Sequence, residues 1–283
     1  MKTKQPNLDY LNASPILLKE ASNIQIILAG CGGTGGWLSL SIAQICLTLR
    51  KLNFNVSVLF VDPDVIETKN ILRQNFTLAE VGLPKAHSLS LRYNGAWGLD
   101  IAAVQERFDS SMVEAGYKTL SLIIACVDNA LGRKSIAHAL DQINGEYSAP
   151  SVWAIDCGNA VSSGQVLLGC TSSPRVMQRF AFAHPGIIGA LPAPTWQAPD
   201  LLIPHPEELD DTPLSCAEIA NRNLQSVMVN KFVAAIAGEY INSLLVSRKI
   251  KHYATYFNLP SCNMISKYIT LKEMTPYCQE EAV

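Results

Sequence analysis

The sequence lacks the features that would assign it to a membrane, secreted or zinc-binding class. No apolar run approaches the roughly 20 residues that a membrane-spanning helix needs, and the stretch 1–6 is not followed by the apolar core of a signal peptide. The eight cysteines form no Cys-x-x-Cys pair, which argues against a tetrahedral zinc site and against a small disulfide scaffold. We therefore expect a cytoplasmic protein that does not associate with membranes.

Charge is scarce as well. Only 16% of the residues are charged and the net charge is −2, so the composition gives no support for broad nucleic-acid binding. By contrast, 48% of the 283 residues are hydrophobic, which indicates a large, well-buried core.

The stretch that organises the rest of the chain is residues 24–36. Its apolar first part predicts a strand buried on both faces, and Gly30-x-Gly-Gly-x-Gly35 then leads into a helix with a wide apolar face. Gly30 permits a tight turn, Gly32 lets the backbone approach a phosphate, and Gly35 lets the helix pack close to the strand. A helix N-terminus at this point favours an anion. The alternative is a glycine-rich turn that binds nothing.

Two acids follow predicted strands of the same sheet. Asp62 ends the strand 56–62, where an acid hydrogen-bonds a ribose hydroxyl in dinucleotide-binding units, although it could also simply start a turn before Pro63. Asp128 follows the strand 119–127, where a carboxylate beside phosphates is a common Mg²⁺ ligand; the alternative is an N-cap of the next helix. Parallel strands end at one edge, so both acids should face one crevice.

Two cations lie in the polar segment after the second strand. Arg73 could clamp a phosphate with two hydrogen bonds, and Lys85 could do so as a point charge. Without the neighbouring glycine motif, a solvated surface loop would explain both equally well.

The second half of the chain changes character. A proline-rich segment over 171–214 predicts a long, mostly irregular crossover, and an apolar-striped helix is expected from Ala217 to about Val246, followed by a strand over 253–259. The predicted inward residues of the helix are Val227, Val229, Phe232, Val233, Ile236 and Ile241.

The same helix suggests an interface, because its apolar residues cannot all point one way at 3.6 residues per turn. We therefore predict a homodimer, with burial in the core as the alternative. The residues concerned are Ile219, Met228, Val233, Ile236 and Ile241.

Together these elements predict an α/β fold, with a Rossmann-like open and mostly parallel sheet, helices on both faces, a C-terminal sheet extension and a long crossover loop. We expect a single domain over 1–283, with a nucleotide-binding half at 24–140 and a second half at 150–283 that holds the crossover, the long helix and the C-terminal strands.

Five motifs occur in a fixed order along the chain, and together they resemble the adenylation domain of the ThiF/MoeB/HesA family, relatives of ubiquitin-activating enzymes. The resemblance covers about 24–168 and resumes more weakly at Cys216; the compact length suggests the short ThiF-like proteins of bacterial PRTRC systems. The motifs are Gly30-x-Gly-Gly-x-Gly35, Asp62-x-Asp64, Asn70-x-x-Arg73-Gln74-x-Phe76, Gly82-x-x-Lys85-Ala86 and Asp128-Asn129-x-x-x-Arg133.

The resemblance implies that ATP and Mg²⁺ are used to adenylate the C-terminal carboxylate of a small ubiquitin-like, β-grasp protein, by a two-fold dimer. It also implies a role for each matching residue. By this resemblance, the phosphates lie along Gly30, Gly32, Gly33 and Gly35, and Asp62 holds the ribose with Asp64 beside it. Phosphate contacts are implied for Asn70, Arg73 and Lys85, with Gln74 supporting the loop. The implied Mg²⁺ ligand is Asp128, next to Asn129.

Three departures from the family pattern stand out. Many relatives supply an N-terminal arginine, whereas the first arginine here is Arg50 and only Lys2, Lys4 and Lys19 precede it. Zinc-binding cysteine pairs are absent from the sequence, and the crossover is rich in proline. Cys216 matches the place of a reactive thiol in some relatives, although an ordinary buried cysteine is the alternative.

Two other functions remain open from the sequence. A nicotinamide-dependent oxidoreductase would share the glycine turn and Asp62 but would leave Arg73, Lys85 and Asp128 unexplained. A non-catalytic nucleotide-binding scaffold would be consistent with the missing N-terminal arginine.

Overall fold

The computed structural model describes residues 8–183, 186–204 and 227–279. The strands within them are β1 Asn23–Ala29, β2 Asn55–Val61, β3 Ile101–Val104, β4 Thr119–Ala125, β5 Val152–Asn159, β6 Ser163–Gly169, β7 His252–Asn258 and β8 Asn263–Tyr268. They form one sheet in the order β3-β2-β1-β4-β5-β6-β7-β8. The first five strands in this order pair in parallel, and β5 to β8 pair antiparallel. The predicted mostly parallel sheet with a C-terminal extension is therefore confirmed.

Helices connect and cover the strands. They are α1 Asp9–Asn12, α2 Gly33–Lys51, α3 Lys85–Trp97, α4 Ala130–Ile143, α5 Pro174–Phe180, α6 Pro194–Gln197, α7 Val227–Ile241 and α8 Leu271–Met274. Short 3₁₀ turns lie at Thr68–Asn70, Leu78–Glu80, Ser110–Met112, Pro199–Leu202 and Thr275–Cys278, and a π-helical turn at Asn242–Val246 continues α7. None of the helices in these described ranges is long and apolar enough to cross a membrane.

The core lies on both faces of the sheet because β1 is apolar at successive positions. Ile26 and Leu28 join the cluster that includes α2 and α7, whereas Ile27 and Ala29 join the cluster that includes α4. Side chains alternate between the two faces of a strand, so a strand buried on both sides is apolar at most positions. This is the reason that the prediction for residues 24–29 was correct. The exception in β1 is Gln25, which is buried and donates to the Met112 carbonyl (2.9 Å).

The long helix differs from the prediction at one residue, and its predicted start at Ala217 is not tested. Its described part begins at Val227, and residues 205–226, which include Ile219, lie outside the described residues, as does the side chain of Val227. Val233 and Ile241 are buried and Ile236 is partly buried, but the inward assignment of Phe232 is wrong. That ring is 37% exposed and packs edge-on against Phe257, with 4.7 Å between the ring centroids.

Two other expectations also need correction. The crossover is more helical than predicted, because α5, α6 and the 3₁₀ turn at Pro199–Leu202 lie within its described part. Sequence analysis located β7 but not β8, the edge strand at 263–268. Met264 and Ile265 of β8 are both more than half exposed, so the strand shows none of the burial pattern that identifies an inner strand.

The glycine turn provides a stability test of the fold. A Cβ on Gly35 would lie 1.9 Å from the Gly30 carbonyl oxygen, whereas a Cβ on Gly36 would meet nothing closer than 3.4 Å. We expect Gly35→Ala to lower the free energy of unfolding by about 1–3 kcal/mol or more through overpacking. Gly36→Ala is the matched control and should change it by less than about 1 kcal/mol, since alanine favours helix. Urea denaturation followed by circular dichroism measures both, and equal stabilities would contradict the proposed close packing.

Candidate functional site

The carboxyl ends of β1, β2, β4 and β5 open onto a cleft of about 1200 Å³. Pockets for single small ligands usually measure about 300–1,000 Å³, so this cleft has room for more than one substrate group. Ten of the residues predicted from the sequence line it: Gly30, Gly32, Gly33, Asp62, Asp64, Arg73, Gln74, Lys85, Asp128 and Asn129. Gly35 and Asn70 are also described but do not line the cleft.

The glycine turn is held between two neighbouring strands. The Gly30 N–H donates to the Val61 carbonyl (2.8 Å), and the Cys126 N–H donates to the Ala29 carbonyl (2.8 Å). Gly30 has a φ of +93°, and a Cβ there would lie 2.6 Å from the Cys126 carbonyl oxygen, so only glycine fits. Helix α2 then begins at Gly33 without a side-chain cap. Its first N–H groups therefore face the cleft as an anion-binding site.

Asp62 joins the turn to the loop that follows β2. Its Oδ2 accepts a hydrogen bond from the Cys31 N–H (2.6 Å), and its Oδ1 accepts one from the Asp64 N–H (2.9 Å). Burial raises the pKa of Asp62, while the positive charge of Lys85 and the two N–H donors lower it in part. The residue therefore starts a turn, as one interpretation held, and also lies at the cleft, as the other required.

The loop 62–85 brings two cationic side chains to the cleft. Lys85 Nζ pairs with Asp64 Oδ2 at 2.7 Å, and the lysine side chain is only 8% exposed whereas that of Asp64 is 64% exposed. The ammonium group is thereby held in a fixed place at the cleft wall. Arg73 lines the same wall, and its carbonyl accepts a hydrogen bond from Trp37 Nε1 (3.3 Å).

Two amides on this loop have different surroundings. Asn70 Oδ1 accepts the Glu67 N–H (2.9 Å) in a reciprocal capping box, which fixes the local turn. Its contact with phosphate stays a prediction. Gln74 lines the cleft, and its buried Oε1 has no hydrogen-bond partner among the described residues.

Glu80 anchors the loop, and sequence analysis did not single it out. Its Oε2 accepts from the Thr77 N–H (2.7 Å) and Thr77 Oγ1 (2.9 Å), and its Oε1 accepts from Ser88 Oγ (2.5 Å) and Arg92 Nη2 (2.6 Å). Because Ser88 and Arg92 lie on α3, this carboxylate ties the loop to that helix. The Thr-x-x-Glu spacing of a capping box was the signal that could have identified it.

The sequence left open whether Asp128 binds Mg²⁺ or caps the next helix, and in the structure the neighbouring Asn129 takes the capping role. Asn129 Oδ1 accepts the Gly132 N–H (2.8 Å) and so caps α4, and Asn129 Nδ2 donates to Asp128 Oδ1 (3.3 Å). The N-cap is therefore Asn129, and Asp128 stays exposed at the cleft. No group of three or more His, Cys, Asp or Glu side chains in the described chain could hold a metal. A single carboxylate still suits Mg²⁺, which keeps water ligands and binds through substrate phosphates.

A buried ion pair fixes α4 against the sheet beneath this end of the cleft. Arg133 Nε lies 3.0 Å from Asp156 Oδ2, and both side chains are at most 10% exposed. Burial raises the pKa of Asp156, and the positive charge of Arg133 opposes that shift. Since Asp128 and Asn129 directly precede α4, the pair fixes their position as well.

The opposite wall of the cleft contains a polar trio that the sequence did not reveal: Thr34, Asn159 and Asn230. Asn159 Nδ2 donates to Thr34 Oγ1 (3.0 Å) and to Asn230 Oδ1 (2.5 Å), and Thr34 Oγ1 donates to Asn230 Oδ1 (3.3 Å). All three residues line the cleft. The available signal was Asn230 itself, an uncharged polar residue in the mainly apolar helix α7.

Four residues that the sequence analysis named as departures from the family pattern, or as a candidate thiol, lie elsewhere. Cys216, Lys2 and Lys4 are outside the described residues, so a nucleophilic role for Cys216 stays a prediction. Lys19 is described and partly buried but does not line the cleft.

Comparisons with known proteins agree with this geometry. The model of the ThiF family matches residues 7–280. A search among curated proteins found no match.

Among solved structures, the chain is similar to selenomethionine PaaA, with 16% identity over 87% of this chain and 64% of that one and a TM-score of 0.52. It is also similar to E. coli MccB with ATP, with 12% identity over 93% and 65% of the two chains and a TM-score of 0.54. A complex of E. coli MccB with MccA-N7isoASN gives 12% identity, 96% and 69% coverage, and a TM-score of 0.56. The chain thus spans about two thirds of the length of these proteins. At identities this low, the structural similarity shows the fold alone.

Glu80 gives a pH-dependent test of how the loop is held. Burial tends to raise its pKa, but the bonds from Ser88, Arg92 and Thr77 lower it from an ordinary 4.5 to about 2. The stabilisation is therefore complete above pH 4.5 and is lost as the pH falls toward about 2. We expect Glu80→Gln to cost about 1–2 kcal/mol of unfolding free energy at pH 7 and progressively less below pH 4.5. Denaturant unfolding of both proteins across this range measures the difference, and a constant difference would refute this role.

Proposed function

The chain belongs to the ThiF family, and from this premise we propose that it uses ATP and Mg²⁺ to adenylate the C-terminal carboxylate of a small ubiquitin-like protein. The observation that carries the proposal is the convergence of the anion-binding turn, the cationic side chains of Arg73 and Lys85 and the exposed carboxylate of Asp128 in a single cleft. The flexible C-terminal tail of the partner protein would enter the space that the nucleotide leaves free. The MccB structures with ATP and with MccA support a nucleotide and a second, small partner as the two substrates.

The reaction needs the groups that the cleft provides. A substrate carboxylate oxygen forms a bond to the α-phosphorus of ATP, and the bond from that phosphorus to the β-bridging oxygen breaks, so that pyrophosphate leaves with the electron pair. Negative charge grows on phosphoryl oxygens, where the N-terminus of α2, Lys85 and Arg73 stabilise it. No general base is required, because a carboxylate is already ionised at neutral pH.

The cleft also provides a residue that would hold the metal. Bound Mg²⁺ would neutralise negative charge on the phosphates of the nucleotide. Asp128 supplies a carboxylate ligand, and the capping role of Asn129 leaves that carboxylate directed to the cleft. Asp62 is positioned to accept a ribose hydroxyl, since carboxylate oxygens can accept more than one hydrogen bond.

One calorimetric experiment tests these assignments together. Wild-type protein should bind ATP–Mg²⁺ and should not bind NAD. Lys85→Met should weaken ATP–Mg²⁺ binding by roughly 10- to 1000-fold, because a fixed donor to phosphate is lost. Asp128→Asn should remove most of the gain in ATP affinity that Mg²⁺ gives to the wild type.

Lys69→Met is the matched control, since it removes the same charge from the same loop at a site away from the cleft. Lys69 is exposed and pairs with Glu67 at 2.7 Å. The ATP affinity of the Lys69→Met variant should match that of the wild type. Tight NAD binding without ATP binding would instead favour the oxidoreductase, and equal losses in both lysine variants would show a non-specific effect of charge.

We also propose that the protein is a homodimer, as its family resemblance implies. Fewer residues of α7 are available for an interface than the sequence suggested, because Val229, Val233 and Ile241 are buried within the chain. Met228 and Phe232 on the same helix are 57% and 37% exposed, and they are apolar residues that a partner subunit would cover.

Light scattering tests the dimer directly. At micromolar concentration we expect a mass of roughly 62 kDa, twice the 30.8 kDa of one chain. Met228→Glu should shift the protein toward the monomer, because burying an unpaired carboxylate is unfavourable. A wild-type mass near that of one chain would contradict the dimer.

A further inference from the structure

The side chain of Asn230 is held in one orientation by its neighbours in the polar trio. Two donors, Asn159 Nδ2 and Thr34 Oγ1, converge on its Oδ1 at 2.5 and 3.3 Å. An oxygen at that end accepts both bonds, so the amide nitrogen must point the other way. Asn230 therefore offers a donor, in a direction that the other two members of the trio determine.

That donor is buried and unused within the protein. Asn230 is 1% exposed, and its Nδ2 has no hydrogen-bond partner among the described residues. Buried polar atoms almost always have partners, because an unmade hydrogen bond inside a protein is costly. A buried donor that also lines a ligand cleft is explained if the ligand supplies its acceptor.

The position of Asn230 indicates what the acceptor is. A Cβ built on Gly33 would lie 2.9 Å from the amide carbon, nitrogen and oxygen of Asn230, so this amide packs directly on the first residue of α2. The N-terminus of α2 is where an anion is favoured. A neutral donor beside it would complete the set of hydrogen bonds to an anionic oxygen.

We propose that Asn230 Nδ2 donates a hydrogen bond to a phosphate oxygen of the bound nucleotide, with Thr34 and Asn159 as the residues that orient it. This inference rests on the proposed function, since it assigns a residue to the phosphate subsite of the same cleft. It adds Asn230 of α7 to that site, and Asn230 lies 196 positions after Thr34 in the sequence. The cleft is then completed by the C-terminal half of the chain.

Three titrated probes separate a phosphate contact from a structural role: ATP, AMP and adenosine. Asn230→Leu removes the donor, keeps the branched shape and the number of heavy atoms, and leaves Asn159 and Thr34 bonded to each other. It should weaken ATP binding about 10-fold, the usual effect of one hydrogen bond to a charged group, and leave adenosine binding unchanged. A loss for both AMP and ATP places the contact at the α-phosphate, and a loss for ATP alone places it at the β- or γ-phosphate.

Asn230→Asp is the second variant, and it covers the case in which the leucine variant does not fold. It keeps the oxygen that accepts from Thr34 and Asn159 but replaces the donor by an oxygen, so ATP affinity should fall further than in Asn230→Leu. Asn242→Leu makes the same amide-to-leucine change in the turn that continues α7, away from the cleft, and should bind ATP like the wild type.

The outcomes separate this inference from the function on which it rests. If wild-type protein binds ATP and both Asn230 variants bind it equally well, the contact is refuted and the proposed function stands. Equal losses for ATP and adenosine would also refute it, because they would show general damage to the cleft. A wild type that does not bind ATP would overturn both proposals.

Discussion

The carboxylate of Asp62 is the contact on which the site depends. It holds the Cys31 N–H of the glycine turn with one oxygen and the Asp64 N–H of the following loop with the other. Asp64 in turn pairs with Lys85 at the start of α3. One buried carboxylate thus sets the distance between the anion-binding turn and the lysine beside it. Such a charge is expensive to bury, and the N–H donors and Lys85 offset part of that cost.

The rest of the cleft is arranged around the same turn by different means. Glycines bring the backbone of β1 and α2 so close that the turn has no freedom to shift, while Glu80 ties the cationic loop to α3. The Arg133–Asp156 pair fixes the start of α4, and with it Asp128. The loop that carries Arg73 and Lys85 and the segment that carries Asp128 are therefore each held against a regular element by a charged contact. This preorganisation is what electrostatic stabilisation of a developing charge requires.

Most of the sheet and the positions of the charged residues could be predicted from the sequence. Inner strands such as β1 and β4 are apolar at most of their buried positions, with Gln25, Thr119 and Ser121 as the exceptions. The glycine spacing determines the turn and helix after β1, so local patterns were sufficient. The exposed strand β8 and the outward position of Phe232 depend on neighbours distant in sequence. The sequence pattern also could not show that Asn129 rather than Asp128 caps α4, since two adjacent polar residues satisfy the same spacing rule.

The role of Asn230 at the functional site also could not be predicted from local sequence. In the sequence alone, Asn230 is an uncharged polar residue next to Lys231 in a mainly apolar helix, and a partly exposed position would account for it. Only the packing of α7 against α2 places its amide on Gly33, beside Thr34 and Asn159. The two walls of the cleft then differ in chemistry: Arg73 and Lys85 supply charge on one, and neutral amides supply directed donors on the other. Charged donors attract the nucleotide from a distance, whereas fixed neutral donors act only at hydrogen-bond range. We infer that the first wall contributes most to affinity and the second to the orientation of the phosphates for attack.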